Sequence, residues 1–195
     1  MKKLGTVGIV IAALVLCLLW GVKAYNNLVS SEESVENAWA QVENVYQRRA
    51  DLIPNLVATV KGYAAHESQT LENVIAARSK ATQVTIDPTN LTPEELAKFQ
   101  QAQGELSTAL GRLIMLQENY PDLKANENFR DLQAQLEGTE NRITVERQKF
   151  NDTAREYNVA VRRFPNSIVA SICGFEKKGY FEAAEGASTA PKVEF

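Results

Sequence analysis

"QRRADLIPNLVATVKGYAAHE", residues 47–67, is the stretch on which the fold turns. It sets Pro54 inside a run of apolar residues at helical spacing, with Val35, Trp39, Val42 and Tyr46 before it and Leu56, Val60 and Tyr63 after it. An interior proline lacks the N–H of the helical ladder, and its ring presses on the carbonyl four residues earlier, so it kinks or ends a helix. That earlier residue is Ala50, small enough to ease the clash. Trp39, Tyr46, Ile53, Val60 and Val74 share one seven-residue phase that passes straight through the proline. A turn at Pro54 would have no reason to keep that phase. The residues therefore predict one long, bent helix from about Ser31 to Ala81, with a break at Ile53–Pro54 as the alternative. Ser30 with Glu33 offers a capping box, so this helix either restarts there or continues from the segment before it.

That preceding segment sets the class of protein. Leu4 to Val22 carries no charge, a run close to the ~20 residues a helix needs to cross hydrocarbon. A cleaved secretory signal shares the basic start and apolar stretch. The run is longer than a signal core, and no clear small-x-small site precedes Tyr25. Cys17 makes a poor lipoprotein site, because "LLWGV" carries the apolar run past it. The expectation is an uncleaved, single-pass anchor over residues 1–25. Lys2 and Lys3 lie on its short side, and on the far side Lys23 alone precedes Arg48, so the Lys/Arg bias puts the amino terminus in the cytoplasm and the domain outside.

Three further helices follow. In "TQVTIDPTNLTPEEL", Thr92 as N-cap, Pro93 at N1 and Glu95 at N3 form a capping box, and Leu91 with Leu96 supplies a hydrophobic staple. The second helix should run to about Glu118 and bury Leu96, Phe99, Leu106, Leu110 and Leu113, with Gly104 and Gly111 permitting close helix approach. After the turn "NYPDLKAN", Asn126 is the expected N-cap of a third helix carrying Phe129, Leu136, Ile143, Phe150, Tyr157 and Phe164 at seven-residue spacing. Its second seam, Leu132, Thr139, Glu146, Thr153 and Ala160, is mixed, which suits an antiparallel bundle better than a pure coiled coil. Pro165 ends it, and "NSIVASICGF" reads as a short last helix closed by Gly174 with an apolar contact from Phe175. Residues 26–175 form the expected bundle domain, and 176–195 an irregular tail.

Chemistry is harder to find. His66 and Glu67 begin like a zinc-protease helix, but Thr70 stands where the second histidine must be, so His66 reads as a surface or interfacial residue. No Gly-rich phosphate loop occurs. Cys17 lies in the anchor, Cys173 in an apolar segment where a packed thiol is commoner, and no disulfide framework is implied. Arg48, Arg49 and Asp51, with Glu140, Asn141 and Arg142, read as a solvated face or interhelical ion pairs. The competing reading lines a ligand cavity with Arg48, Asp51, Glu140 and Arg142. Of the 21 basic residues, 18 remain once Lys2, Lys3 and Lys23 are set aside, against 24 acidic ones, a net of −6. Such a domain is no partner for a phosphate backbone, and no nucleic acid is expected. No catalytic, cofactor-binding or metal-binding residue is assigned, and no enzyme activity or cofactor is expected.

The blocks "AWAQVENVYQRRADLIPNLVATVKGYAAHE", "ENYPDLKANENFRDLQAQLEGTENRI", "YNVAVRRFPNSIVASICGF" and "YFEAAEGASTAPKVEF", in this order, resemble the LemA family of bacterial membrane proteins. The resemblance implies an all-α protein of the bacterial cytoplasmic membrane, with an amino-terminal membrane helix followed by an up-and-down bundle of four-helix type. It brings no catalytic residue. It also implies a short amino terminus outside the cell, opposite to the charge bias, and the charge reading is retained. Function is then expected to lie in protein interaction or scaffolding at the envelope, through a protein partner or self-association, with a ligand-binding or sensory bundle as the alternative.

Overall fold

The computed structural model describes residues 2–182, and side chains from residue 8 onward. The described chain is all-helical: α1 (Lys2–Tyr63), α2 (Ser68–Gln83), α3 (Pro93–Met115), α4 (Pro121–Ala125), α5 (Glu127–Arg162) and α6 (Asn166–Cys173). A single 3-10 turn, Leu116–Glu118, closes α3. The long apolar segment and the first domain helix are one element. No capping box forms at Ser30; instead the hydroxyls of Ser31 and Ser34 donate back to the carbonyls of Asn27 and Ser30 within α1.

Pro54 sits inside α1 without ending it. The Ala50 carbonyl, deprived of its helical donor, accepts instead from Arg78 Nε of α2 at 2.8 Å. This bond explains why a proline with helix on both sides is tolerated here: the freed acceptor is buried but not orphaned. The expected continuation to Ala81 does not occur. The chain turns at Ala64–Glu67, and α2 folds back so that its Leu71, Val74 and Ala81 share a core with Ile53, Leu56 and Val60. The reason is the length of the partner helix. Asn126 Nδ2 donates to Tyr63 Oη at 2.9 Å, and α5 begins one residue later, so beyond Tyr63 α1 would run past the end of its partner helix.

The pairing of α1 with α5 is marked along its length: Tyr63 meets Asn126, Arg49 meets Glu140, and Glu32 meets Tyr157. Residue numbers rise along one helix as they fall along the other. Likewise Arg78 of α2 reaches Ala50, and Lys80 of α2 pairs with Glu105 of α3 at 2.7 Å. The seven-residue series of α5 is buried from Phe129 to Tyr157, but Phe164 falls outside it, since the helix stops at Arg162 and leaves that ring exposed.

Helix ends follow their local signals, with one cap half made. Thr92 Oγ1 accepts from the Glu95 N–H at 3.3 Å, and Asn126 Oδ1 accepts from the Phe129 N–H at 2.9 Å. The Glu95 carboxylate, however, does not reach back to Thr92, whose N–H bonds to Asn90, so only half of the box is made. Gly104 and Gly111 face solvent, away from the Leu106, Leu110 and Leu113 stripe, and a methyl on either would meet no atom within 4 Å; they bring no helices together. At the other end Gly174, with φ +79°, closes α6, and the Phe175 N–H bonds to the Ala170 carbonyl as the left-handed cap requires.

Two apolar clusters fill the interior. One gathers around Trp39, Phe99, Phe150 and Phe181 on the side toward the apolar amino-terminal run, the other around Leu56, Leu113 and Phe129 at the opposite end. The apolar run itself, from Ile9 to Val22, is exposed apart from a half-buried Gly21, and full burial on α1 starts at Ala24 and Leu28. By length and composition this is a helix able to cross a membrane.

Candidate functional site

Two buried polar arrangements stand out, and each is built from residues the helices bring together from far apart in sequence. The first lies between the apolar clusters. Arg49, 2% exposed, projects from α1 one turn from Tyr46, over whose ring its guanidinium sits at 5.0 Å. Its Nη1 donates to Ser107 Oγ at 2.8 Å and to Glu140 at 2.9 Å, and its Nη2 donates to the Gln103 side chain at 2.6 Å and the Gln103 carbonyl at 3.3 Å. Gln103 in turn donates to the Ala81 carbonyl at 3.4 Å. One guanidinium thereby ties α1 to α3 and α5, and its Gln103 partner extends the tie to α2. The Glu140 carboxylate is 54% exposed, so the ion pair is half-wet and much of its attraction is screened. The contacts to Ser107 and Gln103 are the dry ones. A buried cation held this way contributes little net stability, but removing it strands its acceptors.

The second arrangement holds the segment after α6. Residues 175–182 form no helix, yet they are pinned by side-chain amides that complete their backbone hydrogen bonds. Asn158 accepts from the Lys178 N–H at 2.9 Å and donates to the Lys178 carbonyl at 2.8 Å. Asn151, seven residues earlier on α5, does the same for Phe181 at 2.8 and 2.9 Å, and Gln100 of α3 does it for Glu182. The Gly179 N–H bonds to the Leu91 carbonyl. A methyl at Gly179 would stand 2.9 Å from both Leu96 Cδ1 and Pro93 N, so close approach is what demands glycine there.

The same strap carries two side chains inward. Phe181 stacks on Trp39 at 6.0 Å and meets Phe150 edge-on at 5.5 Å. Lys178, buried, donates to the Thr89 carbonyl at 2.6 Å and pairs with Glu32 of α1 at 2.7 Å. Burial, and next the Glu32 carboxylate, push the Tyr157 phenol far above its ordinary range, so it stays a donor beside Glu32. The Asp87 carboxyl in the neighbouring loop is held below its ordinary range by the Thr89 hydroxyl and N–H. An open cleft of about 840 Å³ runs along the outer side of the strap, lined among others by Gln100, Gln101, Arg162, Lys177 and Tyr180.

Of the residues singled out in the sequence, Arg48, Asp51 and Arg142 are exposed and do not converge. Asp51 accepts from Gln47 on its own helix, and Glu140 meets Arg49 rather than Arg48. His66 is exposed in the α1–α2 turn. Cys173, expected as a packed thiol, is exposed on α6 beside the apolar helix, because Ala170 takes the buried face of so short a helix. The strap residues Lys178, Gly179 and Phe181 fall in the stretch expected as an irregular tail. A signal for their packing is Asn151 and Asn158 on α5, where a helix ordinarily has no use for buried amides.

Among known proteins, a match to the LemA family covers residues 38–195. Curated relatives include magnetosome protein MamQ of Magnetospirillum gryphiswaldense, 28% identical over 85% of this chain and 67% of its own length. Magnetosome protein MamQ 2 of Paramagnetospirillum magneticum is 26% identical over the same shares. Protein LemA of Metamycoplasma hominis is 24% identical over 82% of this chain and 69% of its own. The matched region takes in all but the first turns of the packed domain, including Arg49, Pro54, Arg78 and the strap, and the chain belongs to the LemA family.

Proposed function

We propose that the protein is a membrane-anchored, non-catalytic interaction module that holds a rigid helical domain at a fixed stand-off from the bacterial cytoplasmic membrane. The observation that carries this reading is α1 itself. The same helix is apolar and exposed at Ile9 to Val22 and buried in the domain core at Leu28, Val35 and Trp39, with no linker between. Its 62 residues reach roughly 93 Å at 1.5 Å per residue. The rise and fall of residue numbers across the α1–α5 and α2–α3 contacts supports an antiparallel up-and-down bundle of four-helix type. Both buried polar arrangements are consumed in fixing helices and strap to one another, which leaves the outer faces as the working surface. A single anchor confines copies and partners to the membrane plane, where even weak contacts gain from high effective concentration. The Lys/Arg bias supports an extracytoplasmic domain.

The test is photo-crosslinking in native membranes from a reactive residue placed at exposed Arg142. Recovery of a defined protein, or of a second copy of this chain, supports the module. Recovery of only the abundant neighbours that the anchor segment alone collects would refute it. The cleft beside the strap favours a second reading, a sensory bundle that takes a small ligand there. Native mass spectrometry of protein released directly from membranes would show a bound molecule that Ala97→Trp, filling the cleft wall, displaces.

A further inference from the structure

Among the described residues, much of the apolar surface of α6 and of the turn before it is left uncovered. Phe164 is 77% exposed, Ile168 51% and Ile172 79%, and Ile168 and Ile172 are one helical turn apart on the same stripe. On a helix of eight residues this is more apolar surface than an isolated exposed side chain would explain.

Where the stripe lies decides what covers it. An apolar groove of about 370 Å³ runs between Val169, Ile172 and Cys173 on α6 and Leu18, Gly21 and Val22 on α1. Tyr25 also lines this groove, and its ring meets that of Phe175 edge-on at 5.7 Å. Leu18 belongs to the uncharged run and lies about 6 Å, four residues at 1.5 Å each, inside its last member Val22. At this level α1 is itself exposed, at Leu14, Leu18 and Leu19. The flanks of α6 are basic and exposed: Arg162 and Arg163 precede it and Lys177 follows it, with Glu176 the one acidic neighbour there, and Lys23 marks the same boundary on α1.

We propose that α6 is a second membrane contact, an interfacial helix lying in the leaflet through which α1 leaves the bilayer. Phe164, Ile168 and Ile172 enter the hydrocarbon at the depth of Leu18 to Val22, and Arg162, Arg163 and Lys177 meet the headgroups. The arrangement of an apolar face below basic flanks is the one by which short amphipathic helices bind anionic leaflets. Lipid is the occupant because α6 is docked on the part of α1 that only lipid can surround. The consequence is orientational: with one contact α1 is free to tilt and spin, whereas α6 fixes which side of the domain faces the membrane. This inference rests on the membrane-anchor reading of α1.

The test uses the full chain in vesicles of phosphatidylcholine and phosphatidylglycerol, with a nitroxide on single cysteines. Cys173→Ser leaves Cys17 as the reporter of the anchor. Ile172→Cys in a Cys17→Ser, Cys173→Ser background reports α6, and Met115→Cys in that background reports the far end of the domain. All are exposed positions, so labels there do not disturb the core. The expected result is an oxygen-to-nickel-chelate accessibility ratio at 172 close to that at 17 and at least severalfold above that at 115. A ratio at 172 equal to that at 115, with 17 in lipid, overturns the proposal for α6 alone. An aqueous ratio at 17 overturns the anchor reading and the proposal with it. Spin–spin broadening at 172 that persists on dilution with excess lipid would show a second copy on this face and equally overturn it.

Discussion

Arg78 decides whether Pro54 is tolerable. A proline in mid-helix costs about 3 kcal/mol or more when nothing compensates the lost bond, yet here the Ala50 carbonyl is filled from the next helix. Losing one partner of a buried hydrogen bond costs about 1–3 kcal/mol. Arg78→Ala should therefore destabilise the protein by about that amount in denaturant titration, and much less in a Pro54→Ala background, where the restored N–H takes the carbonyl. Equal costs in both backgrounds would show that the bond to Ala50 does not matter. Asp87 offers a residue-scale pH dependence. Its carboxyl is held low by the Thr89 hydroxyl and N–H, so the folded state favours the ionised form. The sign follows: this contribution is fully present above the unfolded value near ~4 and is lost as pH falls through the lower folded value. Asp87→Asn should flatten the acid side of the stability profile below about pH 4 and lower stability at neutral pH by the amount the wild type loses on acidification.

Among the elements, the strap is the one whose removal would tell most. Phe181 closes the aromatic cluster of Trp39, Phe99 and Phe150, and its truncation to alanine should cost about 3–5 kcal/mol, the range for a large buried aromatic. Gly179→Ala should act differently. It removes no apolar side chain but forces the strap off Pro93 and Leu96. Amide hydrogen exchange over 178–182 should then rise while α1 and α5 keep their protection. Faster exchange throughout both long helices would mean instead that strap and bundle unfold as one unit.

For the whole molecule, the unbroken α1 converts a membrane address into a geometric one: the domain core begins at Ala24, directly where the apolar run ends. This geometry makes orientation easy to read. A single cysteine at position 115, in a Cys17→Ser, Cys173→Ser background, should react with an impermeant maleimide on intact cells. Reaction only after lysis would place the domain in the cytoplasm and reverse the charge argument.

Taken alone, the order of residues determined what short-range physics controls. The apolar run to Val22, the caps at Thr92, Asn126 and Gly174, and the buried stripe from Phe129 to Tyr157 all follow from spacing and local chemistry. Tertiary structure decided what depends on partners. Val60 and Val74 keep one phase whether the chain runs straight or turns between them, and the turn is set by where α5 starts, opposite Tyr63. The choice of Arg49 over Arg48 as the buried cation depends on Ser107, Gln103 and Glu140 arriving from two other helices. The strap has no period of its own, because its backbone is satisfied by amides of α3 and α5 rather than by its own repeat. Spacing along one chain records which face of a helix is apolar, but not which surface will arrive to cover it.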